Sequence, residues 1–182
     1  DDGIIGPHID YTGRTNQAAV TSNGGDHGDH VCGILAGAGN LNPKAKGMAP
    51  GCSLFVYDPY ENISLLPSHY VTNNIRITSL SYGQNCNAGY TTDANQIDAM
   101  MRNYPAAISV FSAGNSGTSN CNYKSTSIAG WGNITGGMKA GKNVIAVANV
   151  WNTDSVDASS SRGPASDGRI KPDISAVGTN VY

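Results

Sequence analysis

The chain has 182 residues, 39% apolar and only 13% charged, with 23 glycines and a net charge of −2. That length suits one domain with a real core. The absence of a basic cluster argues against a nucleic-acid partner, and no apolar run is long enough to cross a bilayer.

In chain order, DDGI opens the sequence without an initiating Met or a signal peptide, so the chain reads as a segment of something longer. Asp1, before a Gly turn, reads as the end of a shortened strand. Next, GGDHGDHVCGILAG (24–37) sets His27 and His30 three apart on one helix face, ahead of a short apolar helix over 31–39. Cys32 in that helix reads as a small buried hydrophobe. SLFVYD (53–58) and RITSLSYG (76–83) read as buried strands, and LLPSHYVTNN between them as a helix starting near Pro67. TTDANQIDAMMRNY (91–104) has an N-cap signal at Thr92 or Asp93, then Ile97, Met100, Met101 and Tyr104 at helical spacing. AISVFSAGN (107–115) and NVIAVANV (143–150) are two further strands. The stretch 114–142 is Gly- and Asn-rich and the least regular part. SSSRGPASDGRIKPD (159–173) is a polar loop leading to a further segment.

Strands alternating with helices predict an α/β fold with a parallel sheet covered on both faces. Chemistry in such sheets sits at the carboxyl ends of strands, where SYGQN and SAGNSG fall. The four cysteines show no CxxC spacing, which argues against structural zinc. Cys86 and Cys121, in Asn- and Gly-rich loops, are a candidate disulfide among three full connectivities.

His27 and His30 admit two readings. Imidazoles at i and i+3 can share a metal. Alternatively His27, at the positive end of a helix dipole, is a neutral base whose tautomer is fixed by a carboxylate such as Asp1. Asn115, after a buried strand, can aim its amide at a developing oxyanion. Asp2, Asp26 and Asp29 read as turn and cap residues, and His30 as a structural imidazole hydrogen-bonded near the helix start.

Five segments in this order resemble the subtilisin-like serine proteases, the subtilases: DDGI, HGDHVCGILAG, SLSYG, SAGN, and SSSRGP with KPDISAVG; GMAPG (47–51) is another recurrent segment. The resemblance implies a three-layer subtilisin-like fold, mostly parallel sheet with helices on both faces, incomplete at both termini. In that reading residues 1–182 form one partial peptidase domain. It lacks the strand before Asp1 and the segment carrying the nucleophilic serine.

The family's roles fall on Asp1 as the carboxylate that orients the base, His27 as the base, and Asn115 as the oxyanion donor. Ser79, Leu80, Ser81, Tyr82, Gly83, Ala113 and Gly114 fall on the substrate-binding segments. Asp29 stands where the family usually has Thr. The Gly-Thr-Ser-Met-Ala motif does not occur; Gly117-Thr118-Ser119 lacks its context and is not read as the nucleophile. The implied activity is peptide-bond hydrolysis through an acyl-enzyme, with a polypeptide substrate and the 182-residue piece inactive alone.

No cofactor is required for that chemistry. Structural calcium is common in the family, with Asp10, Asp58 and Asn40 as candidate ligands, and location is expected to be secreted or cell-surface. Asn62-Ile-Ser and Asn133-Ile-Thr match glycosylation sequons. The competing functions are a non-catalytic peptide-binding or structural module of a larger surface protein and a metal-dependent hydrolase using His27 and His30.

Overall fold

The computed structural model describes all residues except 23–24, 85, 87–88, 122–127, 135 and 182. The chain divides into two compact units, Asp1–Asn62 and Ile63–Val181.

The first unit pairs β1 (Thr15–Ala19) in parallel with β2 (Leu54–Tyr57) and carries α1 (His27–Ala36). Ile5, Tyr11 and Val56 form its core, with Cys32 and Leu54 against them. The thiol of Cys32 is partly buried, and desolvation raises its pKa. Strand β1 was not legible: TNQAA is largely solvent-facing and lacks apolar alternation. Helix α1 starts at His27, four residues before the apolar run.

Its C-terminal end shows what GMAPG does. The amides of Gly47, Met48 and Ala49 donate to the carbonyls of Gly37, Ile34 and Leu35 at 2.8, 3.0 and 2.7 Å. Those carbonyls lie at the helix end, where no further turn can satisfy them. Arg14 adds bonds to the carbonyls of Asp10, Ala36 and Cys52. The buried Asp10 carboxylate takes the amides of Gly39 and Asn40.

The second unit contains nearly all of α2 (Asn62–Thr72), then β3 (Ile77–Leu80), α3 (Thr92–Asn103), β4 (Ile108–Ser112), β5 (Ile145–Val150) and β6 (Ile174–Val177). Its four strands are all parallel, in the order β3-β4-β5-β6. The α/β class with a parallel sheet is therefore correct. Strand β6 was not read as a strand, because its four residues are exposed.

Helix α2 starts at Asn62, and Pro67 lies inside it rather than at its start. A proline there removes one intrahelical bond. Leu66, fully buried, and Ile63 and Tyr70, packed on the core, hold the helix together regardless. In α3 the predicted face is buried through Ile97, Met100 and Met101, against Leu80 of β3 and Phe111 of β4. Each large apolar side chain buried this way contributes about 1.5–3 kcal/mol. The cap differs in detail: Thr91 is the N-cap, without a side-chain bond. Asp98, buried on α3, accepts the amides of Lys142 and Asn143 and the Tyr90 hydroxyl, which fixes the approach to β5.

Both sequon asparagines, Asn62 and Asn133, are buried, so neither presents a glycan acceptor in the fold. Cys86 and Cys121 form a disulfide across a separation of 35 residues. It links the loop after β3 to the loop after β4. Replacing both with Ser is expected to lower stability by about 2–4 kcal/mol, the range for closing a loop of this size, measured by urea denaturation with and without reductant.

Asp58, just after β2, accepts the Thr21 hydroxyl and amide and the Ser22 hydroxyl at 2.6–2.9 Å. These bonds favour the charged carboxylate and lower its pKa from 3.8 to about 2. Its contribution is therefore fully present above pH 3.8 and lost as pH falls through about 2. Stability of Asp58→Asn should converge on that of the parent below that pH, in urea titrations run across the acid range.

Candidate active site

Asp1 is placed by its nitrogen, which donates to Tyr57 O at 2.9 Å at the end of β2. Its carboxylate Oδ1 lies 2.9 Å from His27 Nδ1. Asp1 is mostly buried and His27 half exposed. With Nδ1–H donating to the carboxylate, Nε2 is left with a free lone pair, the form a general base needs. Asp1 Oδ2 is buried and, among the described residues, accepts no hydrogen bond.

The orientation of this pair comes from the next residue. Asp2 Oδ2 accepts the His27 amide at 3.1 Å, and Oδ1 accepts the Gly28 amide at 2.6 Å. Asp26 is the N-cap by position but makes no side-chain cap bond, so Asp2 caps α1 from a distant part of the sequence. A Cβ on Gly28 would lie 2.7 Å from Asp2 Oδ1, so only glycine permits this approach. Asp29, the departure from the family pattern, accepts the Gly6 amide at 2.6 Å.

His30 is exposed, and its ring makes no hydrogen bond among the described residues, contrary to the structural role expected of it. The ligand-type cluster at this position is Asp1, Asp2 and His27, with one atom of each within 4.8 Å of the others; His30 is not in it. Asp10 and Asp58 are likewise outside it and are engaged by backbone amides and hydroxyls.

In the second unit, SAGN follows β4. Ala113 is buried and donates to Val147 O at 2.9 Å; Gly114 turns at φ +108°. SSSRGP pins this loop. The Ser161 amide donates to Gly114 O at 2.8 Å, Ser161 Oγ accepts the Ser116 amide at 3.0 Å, and the Gly117 amide donates to Ser159 O at 2.9 Å. Asn115 is left exposed, with no side-chain hydrogen bond among the described residues. Its amide is therefore available to a ligand.

Ser79 and Leu80 end β3, which pairs with β4 and stands first in the strand order; Ser81, Tyr82 and Gly83 run on beyond it. One residue here escaped the sequence reading. Lys139 is buried in the short 3-10 turn Gly137–Ala140, and desolvation lowers its pKa. It sits in the irregular Gly-rich stretch, where no periodicity or motif marks it.

A sequence profile of the subtilase family matches residues 4–182. The chain belongs to that family. Two solved structures share the fold of this subtilase. The prenylagaramide maturation protease PagA is 21% identical, with a TM-score of 0.71 over 97% of this chain and 61% of its own. A mutant of the protease domain of PatA is 20% identical, with a TM-score of 0.55 over 80% of this chain and 51% of its own. The chain thus spans between half and three fifths of these proteins. Among the described residues, no helix is long and apolar enough to cross a membrane.

Asp2→Ala removes both bonds to the start of α1 and should cost about 1–2 kcal/mol, in the range of lost helix caps. Thermal melts of the variant and its parent measure this.

Proposed function

We propose that the whole protein is a serine endopeptidase of the subtilase family that hydrolyses polypeptides through an acyl-enzyme. The observation that carries this is the 2.9 Å contact between Asp1 Oδ1 and His27 Nδ1 at the start of α1. In this reading a serine outside these 182 residues attacks the peptide carbonyl. His27 Nε2 takes its proton and returns it to the leaving amine, while Asp1 holds the tautomer and stabilises the imidazolium. Asn115 donates to the tetrahedral oxyanion.

The substrate lies extended along Ser79, Leu80, Ser81, Tyr82 and Gly83, adding a strand to the edge of β3, with Ala113 and Gly114 opposite it. The chemistry asks nothing of a cofactor, and structural calcium would serve stability alone. A secreted or cell-surface location fits the Cys86–Cys121 disulfide, which persists in oxidising compartments.

The test uses the whole protein with a fluorogenic peptide and a serine-directed phosphonate. Asn115→Ala should lose about a hundred- to a thousandfold in kcat, the magnitude known from subtilisin itself. Asp1→Asn should lose about ten-thousandfold, as in the Ser-His-Asp template. Turnover abolished by chelator yet untouched by the phosphonate would establish the metal-dependent alternative instead. Peptide binding without turnover or labelling would establish the non-catalytic module.

A further inference from the structure

A lysine removed from water ordinarily finds a carboxylate or carbonyls to hold its charge. Lys171 does so, donating to Val144 O at 3.0 Å and to Asp173 Oδ2 at 2.6 Å. Lys139 is buried to the same degree, 5% exposed, and does not. Among the described residues its ammonium has no hydrogen-bond acceptor and no ion-pair partner. The carboxylates of Asp98, Asp157, Asp167 and Asp173 in the same unit are each engaged by other donors.

Two glycines define where this charge ends. A Cβ on Gly83 would lie 2.7 Å from Lys139 Nζ, and a Cβ on Gly114 would lie 2.6 Å from it. Nζ therefore sits where the end of the Ser79–Gly83 segment meets the turn after β4. Neither glycine has a side chain to cover it. Gly114 also precedes Asn115, the proposed donor to the oxyanion. In the proposed reading the carbonyl under attack belongs to the residue before the scissile bond, and the donor to it, Asn115, adjoins Gly114 in the chain.

We propose that Lys139 is a specificity-determining residue, and that the pocket it floors selects an acidic side chain, Asp or Glu, immediately before the scissile bond. The proposal rests on the reading of Ser79–Gly83 and Ala113–Gly114 as substrate-binding segments. An incoming carboxylate supplies the partner that the ammonium lacks among the described residues. An apolar side chain leaves that ammonium unpaired, and a basic one repels it.

The test is hydrolysis by the whole protein of peptides differing only in the residue before the scissile bond: Asp, Glu, Leu, Phe or Lys. Asp or Glu should exceed Leu at least about tenfold in kcat/KM, the scale set by a desolvated charge pair, with Lys poorest. Lys139→Met should reverse the Glu-to-Leu ratio, and Lys139→Arg should keep it. Lys139→Met keeps an apolar stem in the space of the buried lysine and should melt no lower than the parent; should it fail to fold, Lys139→Gln carries the same measurement. An unchanged ratio in the neutral variant, or a parent that prefers Leu or Phe, overturns the proposal.

If no peptide is cleaved, the peptidase reading fails and the pocket is read by binding. Competition between peptides ending in Glu and in Leu then decides. A Glu preference abolished by Lys139→Met upholds the pocket, and equal binding overturns it.

Discussion

The start of helix α1 is the constraint on which the site depends. A carboxylate beside a half-exposed imidazole is worth little unless both are held, because two mobile side chains lose rotamer freedom to meet. Here the holding is done by the backbone. Asp2 is bound to the first two amides of α1, so its neighbour Asp1 is delivered to the His27 ring at fixed distance. The same two bonds satisfy helix amides that would otherwise lack partners. Stability of the helix start and orientation of the base thus come from one carboxylate. Gly28 is required because a side chain there would occupy the space of that carboxylate.

The second unit follows the same logic with different parts. The loop carrying Asn115 has no regular structure of its own, so its amides and carbonyls must be satisfied from outside. Segment 159–161 does this through Ser159 and Ser161, and Ser160 Oγ accepts the Asn149 amide of β5. The disulfide then ties this loop region to the one after β3. Rigid backbone with an uncommitted Asn115 amide is the arrangement that electrostatic preorganisation calls for. Against this satisfied background, the lone ammonium of Lys139 is an exception, and such exceptions collect at functional sites.

Legibility followed the physical source of each signal. Strands β2 to β5 were readable as short apolar runs and helix α3 by its helical periodicity, although β3 and β4 bury alternate residues rather than both faces. Strand β1, with TNQAA largely solvent-facing, and β6, fully exposed, carry no such imprint. The start of α2 was misplaced because Pro67 is a strong local signal for a helix start, and packing of Leu66 and its neighbours overrides it. At the site, Asp1, His27 and Asn115 were found through short motifs. The caps and staples around them were not, since Asp2 to Gly28 and Ser161 to Gly114 are contacts between distant segments.

By itself the sequence determined the α/β class, the family and the residue types available for acid–base chemistry, because patterning and motifs are local properties of the chain. Only the tertiary structure decided that Asp2 caps α1, that SSSRGP pins the turn after β4, and that Cys86 pairs with Cys121. It alone decided that a lysine from an unpatterned loop ends against Gly83 and Gly114. These are facts of proximity, and no residue carries in its own neighbourhood the identity of a partner dozens of positions away.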